Sequence, residues 1–392
     1  MFQKCKNVYH LMRTYLAVVW YGRPSDGMTV IGVTGTDGKT TTASILYHML
    51  KAQGLKVALI STVSAVIDGK VYDTGFHVST PDGVILQSYI KKAREKGVTH
   101  LVLEVTSHSI DQHRIAGIHF AVGVLTNISR EHLDYHKTMA EYTRTKVKLL
   151  NSALTAVLNK DDDSYEKVQK YLTNESVLTY GLSKEADINP HTIEFKTALT
   201  GDYNKRNILA ALTTISAISL DMKKAVDSLS NFTAPKGRSE VVYNKGFTVI
   251  IDFAHTPGAL RELFSSLHAK GKIIHVFGCA GKRDVGKRPL MGEVSNTFAD
   301  HIVLTSEDPR GEDVISINKK IKKGITQKDI VEIVDRQEAI NHAILIARAG
   351  DIVVITGKGH EESLNIDGHE TSWSEHKAVN IALNLKGLKT ED

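Results

Sequence analysis

Cysteine is nearly absent from this chain of 392 residues, which contains only Cys5 and Cys279. Two cysteines cannot build a disulfide framework or a cysteine-rich zinc site, and so low a content is typical of a reducing compartment. Long apolar runs are missing as well: no segment reaches the roughly 18 consecutive apolar residues of a membrane span, and no signal peptide is recognisable. We therefore predict a cytoplasmic protein without a membrane partner.

A strong excess of one charge is also missing. The chain has 49 Lys and Arg against 44 Asp and Glu, with no long basic block and no interleaving of basic and aromatic residues. This composition favours acidic small molecules, such as nucleotides and carboxylates, over nucleic acid as partners. Residues 8–20 are amphipathic and predict a helix docked on the protein surface, with contact to a membrane surface as the alternative. Nothing in the sequence indicates an oligomeric state.

What the chain does contain is a glycine-rich turn at 34–42, Thr-Gly-Thr-Asp-Gly-Lys-Thr-Thr-Thr, between an apolar run and a helical pattern. Strand, glycine-rich turn and helix in this order build a P-loop, where backbone N–H groups and the helix N-terminus surround phosphate oxygens. Lys39 is expected to reach the terminal phosphates of ATP, and the Thr40 hydroxyl to bind Mg²⁺. The strict signature begins with glycine where this chain has Val33, so the turn is a compact variant. The predicted ATP-binding residues here are Gly35, Thr36, Asp37, Gly38, Lys39, Thr40 and Thr41.

Short β-rich runs alternate with helical patterns along the chain, which predicts an α/β protein with mainly parallel sheets. The predicted strands are 29–33, 57–60, 99–105, 121–126, 156–158, 248–252, 272–277, 301–305 and 351–356. The predicted helices are 40–53, 139–150, 207–220, 257–269, 290–298 and 336–349. A turn-rich stretch near residue 235 divides the chain into an N-terminal helical segment at 1–27, a P-loop central domain at 28–235 and a smaller Rossmann-like domain at 236–392.

Acids, histidines and a lysine follow two of the predicted strands. Glu104 ends an apolar strand, and a carboxylate at the carboxyl end of a parallel strand beside a P-loop suits a Mg²⁺ ligand. The segment 126–136 contains His132 and His136 with two acids, a set that could coordinate a metal. Lys146 follows on a predicted helix. Taken singly, each of these residues is as readily an ordinary surface residue.

Further short motifs occur in a fixed order along the chain. They are Ser-Thr-Pro at 79–81, Gln-His-Arg at 112–114, Gly-Asp-Tyr-Asn-Lys-Arg-Asn at 201–207, Asp-Phe-Ala-His-Thr-Pro at 252–257, Phe-Gly-Cys-Ala-Gly-Lys-Arg-Asp at 277–284, Gly-Lys-Arg-Pro-Leu-Met-Gly at 286–292, Asp-Pro-Arg at 308–310 and Gly-Lys-Gly-His-Glu at 357–361. With the P-loop, these motifs resemble the Mur ligase family over residues 28–385. The resemblance is greatest to the branch that adds the third residue of the peptidoglycan stem peptide.

The resemblance implies an ATP-dependent carboxylate–amine ligase with two Mg²⁺ ions. In such an enzyme ATP phosphorylates an acceptor carboxylate, and an amine attacks the acyl phosphate to leave an amide, ADP and phosphate. The implied metal-binding residues are Thr40 and Glu104 for one ion, and His132 with a carbamylated Lys146 for the second. The implied catalytic residues are Lys39, Glu104, His132 and Lys146, and Asn207, Arg238, Asp252 and His255 match positions that face the nucleotide.

The remaining matches concern the two other substrates. Ser79, Thr80, Thr106, Gln112 and Arg114 match contacts to the muramoyl-dipeptide part of the acceptor, and Arg283, Asp308, Arg310, Gly357 and Glu361 match the pocket for the incoming amino acid. An arginine pair suits a carboxylate, and Glu361 suits an ammonium group. These residues favour meso-diaminopimelate, whereas Asp308, where the diaminopimelate enzymes usually have Asn, leaves L-lysine open.

The chain departs from the family at its start, where the domain that holds the UDP part of the acceptor is not recognisable. The expectation is that the acceptor binds by its muramoyl-dipeptide end alone, that a partner chain supplies the rest, or that the acceptor differs. Folylpolyglutamate synthetases and cyanophycin-type poly-amino-acid ligases are the alternatives among ligases. A nucleotide-binding module without turnover is the alternative from another class.

Overall fold

The structure is a computed structural model that describes residues 2–72, 80–326 and 329–388, with side chains from residue 6 onwards. It divides into two compact units. The N-terminal unit comprises Met1–Ser129 and His136–Thr233, and the C-terminal unit comprises Arg130–Tyr135 and Ala234–Asp392. The short segment 130–135 therefore packs with the second unit, although the chain on both sides of it belongs to the first.

The N-terminal unit is built on an eight-stranded sheet. Its strands are β1 (Thr29–Thr34), β2 (Val57–Ile60), β3 (Ala65–Ile67), β4 (Lys70–Tyr72), β5 (His100–Glu104), β6 (Phe120–Leu125), β7 (Ala153–Asn159) and β8 (Val177–Tyr180). Their order across the sheet is β4-β3-β2-β5-β1-β6-β7-β8. All neighbours are parallel except β2–β3 and β3–β4. Because β1 pairs with both β5 and β6, its carboxyl end lies between theirs, with Val33 opposite Glu104 on one side and Val124 on the other.

Helices cover both faces of this sheet. They are α1 (Phe2–Trp20), α2 (Lys39–Ala52), α3 (Gly83–Glu95), α4 (Ser107–Asp111), α6 (Met139–Ser152), α7 (Tyr165–Gln169), α8 (Asp202–Ala217) and α9 (Met222–Ser228), followed by a 3₁₀ turn at Leu229–Asn231. The short helix α5 (Leu133–His136) begins in the segment 130–135, which belongs to the C-terminal unit. One core joins α2 and α8 to the sheet, and another joins α3 to the opposite face. The near-continuous apolar sequences of β1, β5 and β6 follow from this, since strands covered on both faces bury every side chain.

The C-terminal unit has a smaller sheet of the same kind. Its strands are β9 (Glu240–Lys245), β10 (Phe247–Asp252), β11 (Ile273–Phe277), β12 (His301–Leu304), β13 (Asp329–Glu332) and β14 (Ile352–Thr356), in the order β13-β12-β11-β14-β10-β9 with only β9 antiparallel. A separate hairpin is formed by β15 (Ser363–Ile366) and β16 (His369–Ser372). The helices are α10 (Pro257–Ser265), α11 (Lys287–Phe298), α12 (Val314–Lys322), α13 (Arg336–Ile346) and α14 (Glu375–Leu385).

The predicted fold class is confirmed: both units are α/β with mainly parallel sheets. Each predicted strand is present, with ends that differ by at most three residues. Two predicted helices are displaced, because α8 begins at Asp202 rather than at 207 and α10 ends at Ser265 rather than at 269. Across the described residues, no helix combines the length and the apolar character that crossing a membrane requires.

Candidate functional site

The P-loop lies at the carboxyl end of β1, and the end of β6 holds it in place. The backbone N–H of Asp37 donates to Asn127 Oδ1 at 3.0 Å, and the Asp37 carbonyl accepts from Thr126 Oγ1 at 2.6 Å and from Asn127 Nδ2 at 3.1 Å. Thr36 Oγ1 lies 3.1 Å from the Tyr142 hydroxyl. The loop is thus held by polar side chains at the end of β6 and on α6.

Two glycines of this loop are required by its geometry. Gly38 has φ 81° and begins α2, and a Cβ there would lie 2.4 Å from Asn207 Oδ1. A Cβ at Gly35 would lie 1.8 Å from Thr126 Oγ1. Asn207, predicted to face the nucleotide, therefore lies directly against the P-loop, where its Oδ1 also accepts from Thr42 Oγ1 at 3.2 Å.

Thr40 and Glu104 come together as predicted. Thr40 Oγ1 donates to Glu104 Oε2 at 3.0 Å, and Thr62 contacts the same carboxylate through its N–H at 3.0 Å and its hydroxyl at 2.7 Å. Mg²⁺ holds its oxygen ligands at about 2.1 Å in an octahedron, where neighbouring ligands are about 2.9 Å apart. The separation of the two oxygens and their hard oxygen chemistry both fit one edge of a Mg²⁺ site.

Two lysine amines approach the same loop. Lys39 Nζ donates to the Thr36 carbonyl at 2.8 Å, and Lys146 Nζ donates to the Gly35 carbonyl at 2.6 Å. The Lys146 side chain is buried and its amine lies 4.6 Å from the centre of the Tyr142 ring. Burial, and then the charge of Lys39, hold the pKa of Lys146 well below its usual value, while Asp37 and Glu104 oppose this shift. Because its pKa is low, Lys146 loses its proton more readily than an ordinary lysine and more readily forms the neutral amine.

The residues predicted to contact the acceptor form one hydrogen-bonded group. Thr80 Oγ1 donates to the carbonyl of Glu104 at 2.9 Å and accepts from the N–H of Thr106 at 3.3 Å. Arg114 donates to the Thr80 carbonyl at 2.8 Å and to Gln112 Oε1 at 2.7 Å. The group therefore adjoins the carboxylate that faces the P-loop. Ser79, the fifth predicted residue, lies outside the described residues.

In the C-terminal unit, the predicted amino-acid residues surround a lysine that the sequence analysis did not single out. The Lys358 side chain is fully buried, and its Nζ lies 2.8 Å from Asp308 Oδ1 and 2.5 Å from Glu361 Oε2. Arg310 Nη2 lies 3.3 Å from Asp308 Oδ2. Lys358 lies between the two glycines of the motif at 357–361. Its position in this motif was the sequence signal that could have marked it as a candidate site residue.

Gly357 and Glu307 border this cluster. Gly357 has φ 108°, and a Cβ there would lie 3.0 Å from Glu307 Oε2. The Glu307 carboxyl is buried, and its Oε2 has no hydrogen-bond partner among the described residues. Burial raises the pKa of Glu307 to about 7, with Asp308 adding to the shift and Lys287 and Lys358 opposing it.

His132 lies in the segment 130–135, which three ion pairs attach to the C-terminal unit. Lys287 Nζ lies 3.2 Å from Glu131 Oε1 with both side chains buried, and Arg130 Nε lies 3.2 Å from Asp284 Oδ2. Arg283 is 3.7 Å from Asp134 Oδ2. Within the described residues, no cluster of three or more His, Cys, Asp and Glu side chains is arranged to hold a metal by itself. A metal near His132 would therefore need other ligands.

The other predicted nucleotide residues of the C-terminal unit cluster around Phe253. The Arg238 guanidinium lies 4.5 Å from the centre of the Phe253 ring, and His255 Nδ1 lies 2.9 Å from the Phe253 carbonyl. Asp252 accepts from the N–H groups of Ser239 and Ala254, both at 2.6 Å. Burial raises the pKa of Asp252, and the positive charge of Arg238 opposes that shift.

Comparison with family models matches the Mur ligase middle domain to residues 33–215 and the Mur ligase glutamate ligase domain to residues 237–359. A protein of Parabacteroides distasonis named UDP-N-acetylmuramoyl-L-alanyl-D-glutamate--2,6-diaminopimelate ligase is 38% identical over 384 residues, which cover 92% of this chain and 79% of the relative. The chain belongs to the Mur ligase family. The predicted family is thus confirmed.

Other relatives of this Mur ligase family member extend the comparison. A protein of Borreliella afzelii named UDP-N-acetylmuramyl-tripeptide synthetase is 38% identical over 93% of this chain and 79% of its own length. A solved 2,6-diaminopimelate ligase superposes with a TM-score of 0.61 at 31% identity, covering 94% of this chain and 81% of that one. Folylpolyglutamate synthase of Mycobacterium tuberculosis has a TM-score of 0.70 at 19% identity over 97% and 96% of the two chains, a likeness of fold alone.

Proposed function

We propose that this protein is an ATP-dependent ligase that joins the amino group of meso-diaminopimelate to a carboxylate of UDP-N-acetylmuramoyl-L-Ala-D-Glu or a similar acceptor. A relative named as a 2,6-diaminopimelate ligase of this acceptor is 38% identical over 384 residues, which cover 92% of the chain. The observation that carries the proposal is the grouping of Lys39, Thr40, Glu104 and Lys146 around one glycine-rich loop. A phosphoryl transfer between two anions needs such a group of cations and metal ligands.

The N-terminal unit is proposed to bind ATP and activate the acceptor. The backbone of residues 35–41 surrounds the phosphates, Lys39 neutralises their charge, and Asn207 fixes the loop from behind. Thr40 and Glu104 hold one Mg²⁺, which when bound neutralises charge on the transferred phosphoryl group. Asn207 and Asp252 are proposed to contact the adenine and the ribose, and Arg238 and His255 to face the nucleotide. The planar guanidinium of Arg238, which lies over the Phe253 ring, offers a flat cationic surface to an aromatic base.

A second Mg²⁺ is proposed near His132, and Lys146 is proposed to serve it as a carbamate. The Lys146 ammonium first loses one proton to give the neutral amine. The amine nitrogen then bonds to the carbon of carbon dioxide and loses a second proton, which leaves an anionic carbamate whose oxygens could bind a metal. The low pKa of Lys146 supports this step, since only the neutral amine has the free electron pair that forms the new bond.

The acceptor is proposed to bind to Ser79 and to the group formed by Thr80, Thr106, Gln112 and Arg114. Thr80 and Thr106 are attached to the strand end that carries Glu104. An acceptor carboxylate held there would lie on the same side of the sheet as the P-loop, because both β1 and β5 end at that edge. Arg114 supplies the positive charge for the carboxylate. Since the reaction consumes ATP and a nucleotide sugar, we place it in the cytoplasm.

The incoming amino acid is proposed to bind to Arg283, Asp308, Arg310, Gly357 and Glu361. Asp308 and Glu361 carry two negative charges, and Lys358 with Arg310 carries two positive ones, so this cluster is neutral. A neutral cluster with both signs of charge matches the far end of meso-diaminopimelate, which bears an ammonium and a carboxylate. The side chain of L-lysine offers an ammonium alone, so no substrate carboxylate would reach Arg310.

The test is phosphate release by the whole chain with ATP, Mg²⁺ and UDP-N-acetylmuramoyl-L-Ala-D-Glu, with meso-diaminopimelate, L-lysine or no amino acid, and with the product mass measured. We expect turnover with meso-diaminopimelate and a product one residue longer. Turnover with L-lysine only would show that L-lysine, rather than meso-diaminopimelate, is the amino acid that this ligase adds. Turnover with a folate acceptor and L-glutamate, but with none of these, would place the chain with the folylpolyglutamate synthetases.

Arg310→Ala provides the matched check on the amino-acid pocket. Removing a charged hydrogen-bond donor from a carboxylate costs about tenfold to 100-fold in affinity. We therefore expect the KM for the amino acid to rise by that factor while the KM for ATP stays within about twofold. Equal increases in both KM values would contradict the assignment of Arg310.

A further inference from the structure

Helix α1 packs tightly onto the N-terminal unit with one of its faces. Ala17 and Val18 are buried there, and a Cβ at Gly117 would lie 2.8 Å from the Val18 side chain. A Cβ at Gly83 would lie 2.1 Å from Thr14 Oγ1. Such close approach means that the helix has a fixed orientation, so its opposite face is held outwards.

The outward face of α1 is apolar along its length. Its side chains recur every three or four residues, which places them on one side of a helix. They are between 52% exposed, at Tyr15, and 84% exposed, at Trp20: Val8, Tyr9, Met12, Tyr15, Leu16, Val19 and Trp20. These are seven of the 19 large hydrophobic side chains that are exposed among the described residues. A contiguous patch of this kind marks an interaction surface.

Basic residues follow α1 directly and occupy the end of α3, the helix that packs against α1. We name the exposed side chains Arg23, Lys91, Arg94 and Lys96 the basic collar. Arg94 Nη1 donates to the carbonyls of Gly22 and Arg23, directly after α1, and the Lys91 amine lies 5.7 Å from the centre of the Tyr21 ring. Three acids offset part of this charge: Asp82 lies 3.5 Å from Arg13 of α1, Glu95 lies 3.8 Å from Lys91, and Asp26 follows α1. Helix α1 itself contains Lys and Arg but no Asp or Glu. The net charge around the apolar face is positive.

We propose that the outward face of α1 and the basic collar form a docking surface for an anionic phospholipid bilayer. Large apolar and aromatic side chains on one face, with Lys and Arg beside them, are typical of helices that lie within the headgroup region of a membrane. Exposed Trp and Tyr rings suit this boundary, because each has an apolar body and a polar tip. The proposal departs from the sequence-based expectation of no membrane partner and requires no spanning helix.

A second copy of this chain is the competing occupant, and the charges argue against it. Pairing two α1 helices through their outward faces would bring two basic surfaces together, and the helix has no acid to offset them. Like charges that face each other across an interface oppose association. Anionic lipids instead neutralise the collar, and each Lys or Arg near such a surface raises the affinity roughly fivefold.

Trp20 gives a direct readout, because Trp373 is the chain's other tryptophan. In full-length Trp373→Phe protein, we expect Trp20 emission to shift to shorter wavelength with vesicles of phosphatidylcholine and phosphatidylglycerol in equal parts. Pure phosphatidylcholine should give a much smaller shift, and added salt should weaken binding because it screens the collar. Unchanged emission with the anionic vesicles would overturn the proposal.

Variants separate the lipid surface from the other outcomes. The triple variant Leu16→Gln/Val19→Gln/Trp20→Gln, at strongly exposed positions, should lower vesicle affinity in flotation on the order of 100-fold. The control Leu154→Gln, at an equally exposed apolar residue on β7, should float like the parent protein. Lys91→Gln/Lys96→Gln should lower the affinity roughly 25-fold.

Two results would count against the bilayer in these experiments. Equal flotation of the triple variant and the control would show that α1 is not the contact. A dimer in light scattering that the triple variant abolishes, without vesicle binding by the parent, would assign the face to a second copy. Retained ATP binding and an unchanged melting temperature show that each variant is folded.

Discussion

Lys146 illustrates at the scale of a single residue how burial changes chemistry. Its amine is buried and donates to the Gly35 carbonyl at 2.6 Å. Lys39 nearby adds to the cost of a second positive charge, and both effects lower the pKa of Lys146. A solvent-facing lysine would stay protonated at neutral pH, so burial is what makes this amine available as a nucleophile.

We expect Lys146→Ala to lower the kcat for amide formation by at least about 100-fold. ATP binding should be largely retained. Short carboxylates such as formate or acetate should restore part of the activity, because they supply the oxygen ligand that the carbamate would provide. Full activity of the variant without added carboxylate would contradict the role. Lys148→Ala, on the exposed side of the same helix, is the matched control.

At the scale of the element, α2 shows why the two ends of one helix respond differently to the same change. Gly38 and Gly54 border the helix with φ 81° and 79°. An alanine at either position carries the same backbone strain, about 1 kcal/mol. Only at Gly38 would the new Cβ meet another group, Asn207 Oδ1 at 2.4 Å, whereas the space around Gly54 is open.

Gly38→Ala should therefore lower ATP affinity at least about tenfold, because Asn207 must move and the P-loop N–H groups move with it. Gly54→Ala should cost about 1 kcal/mol of stability and leave ATP affinity unchanged. Isothermal titration with ATP and thermal melting of both variants provide the comparison. Equal loss of ATP affinity in the two would mean that strain alone, rather than the contact with Asn207, explains the effect.

The elements that sequence reasoning found are those with a local signal. Strands β1, β5 and β6 are continuous apolar runs, and the glycines and Lys39 define the P-loop, so the meeting of Thr40 and Glu104 could be predicted. Helices α3, α12 and α14 were missed, although Asp82, Asp313 and Ser374 each cap one of them and are recognisable start signals. The hairpin β15–β16 was also missed despite Asp367-Gly368 at its turn.

Other features of the site have no local signal at all. Lys358 bonds to Asp308, which is 50 residues away along the chain. The placement of Asn207 against Gly38 likewise depends on the packing of α8 against α2. A sequence motif marks such residues as important, but the partner of each is decided by tertiary packing, which periodicity and spacing do not specify.

At the scale of the whole molecule, buried histidines of the C-terminal unit set its response to acid. His275 lies between Ser295 Oγ at 2.8 Å and Thr356 Oγ1 at 2.9 Å, and burial lowers the pKa of His275 to about 3. Burial, with the nearby Arg238, also lowers the pKa of His360 to about 3. In the unfolded chain both take up protons near pH 6.5, so the unfolded state binds more protons and stability falls as the pH drops from 6.5 towards 3.

Glu307 acts in the opposite sense. Its pKa of about 7 in the folded protein is above its unfolded value of 4.5, so the folded state binds more protons between these values. Its contribution to stability is present at low pH and is lost as the pH rises through 7, by up to about 3 kcal/mol. Acidification from pH 8 to 5 therefore raises the contribution of Glu307 to stability. Over the same range the two histidines begin to lower stability.

We expect the free energy of unfolding of His275→Gln to fall less steeply than that of the parent protein between pH 6.5 and 3. By pH 5 the losses of the two proteins should differ by about 2 kcal/mol. Scanning calorimetry of the full chain across this range measures it. His369→Gln, at an exposed position on β16, should leave the slope unchanged. The same slope in His275→Gln and the parent would show that His275 takes up its proton without unfolding.

The strand order of the N-terminal sheet has a consequence for how the protein is made. The P-loop at 35–41 follows the first strand, yet that strand pairs with β5 and β6, and Asn207 completes the loop. Since synthesis proceeds from the N-terminus, the ribosome must release more than half of the chain before these contacts can form. The nucleotide loop is thus among the first functional segments synthesised and among the last to be assembled, so ATP can stabilise only chains whose N-terminal unit is already complete.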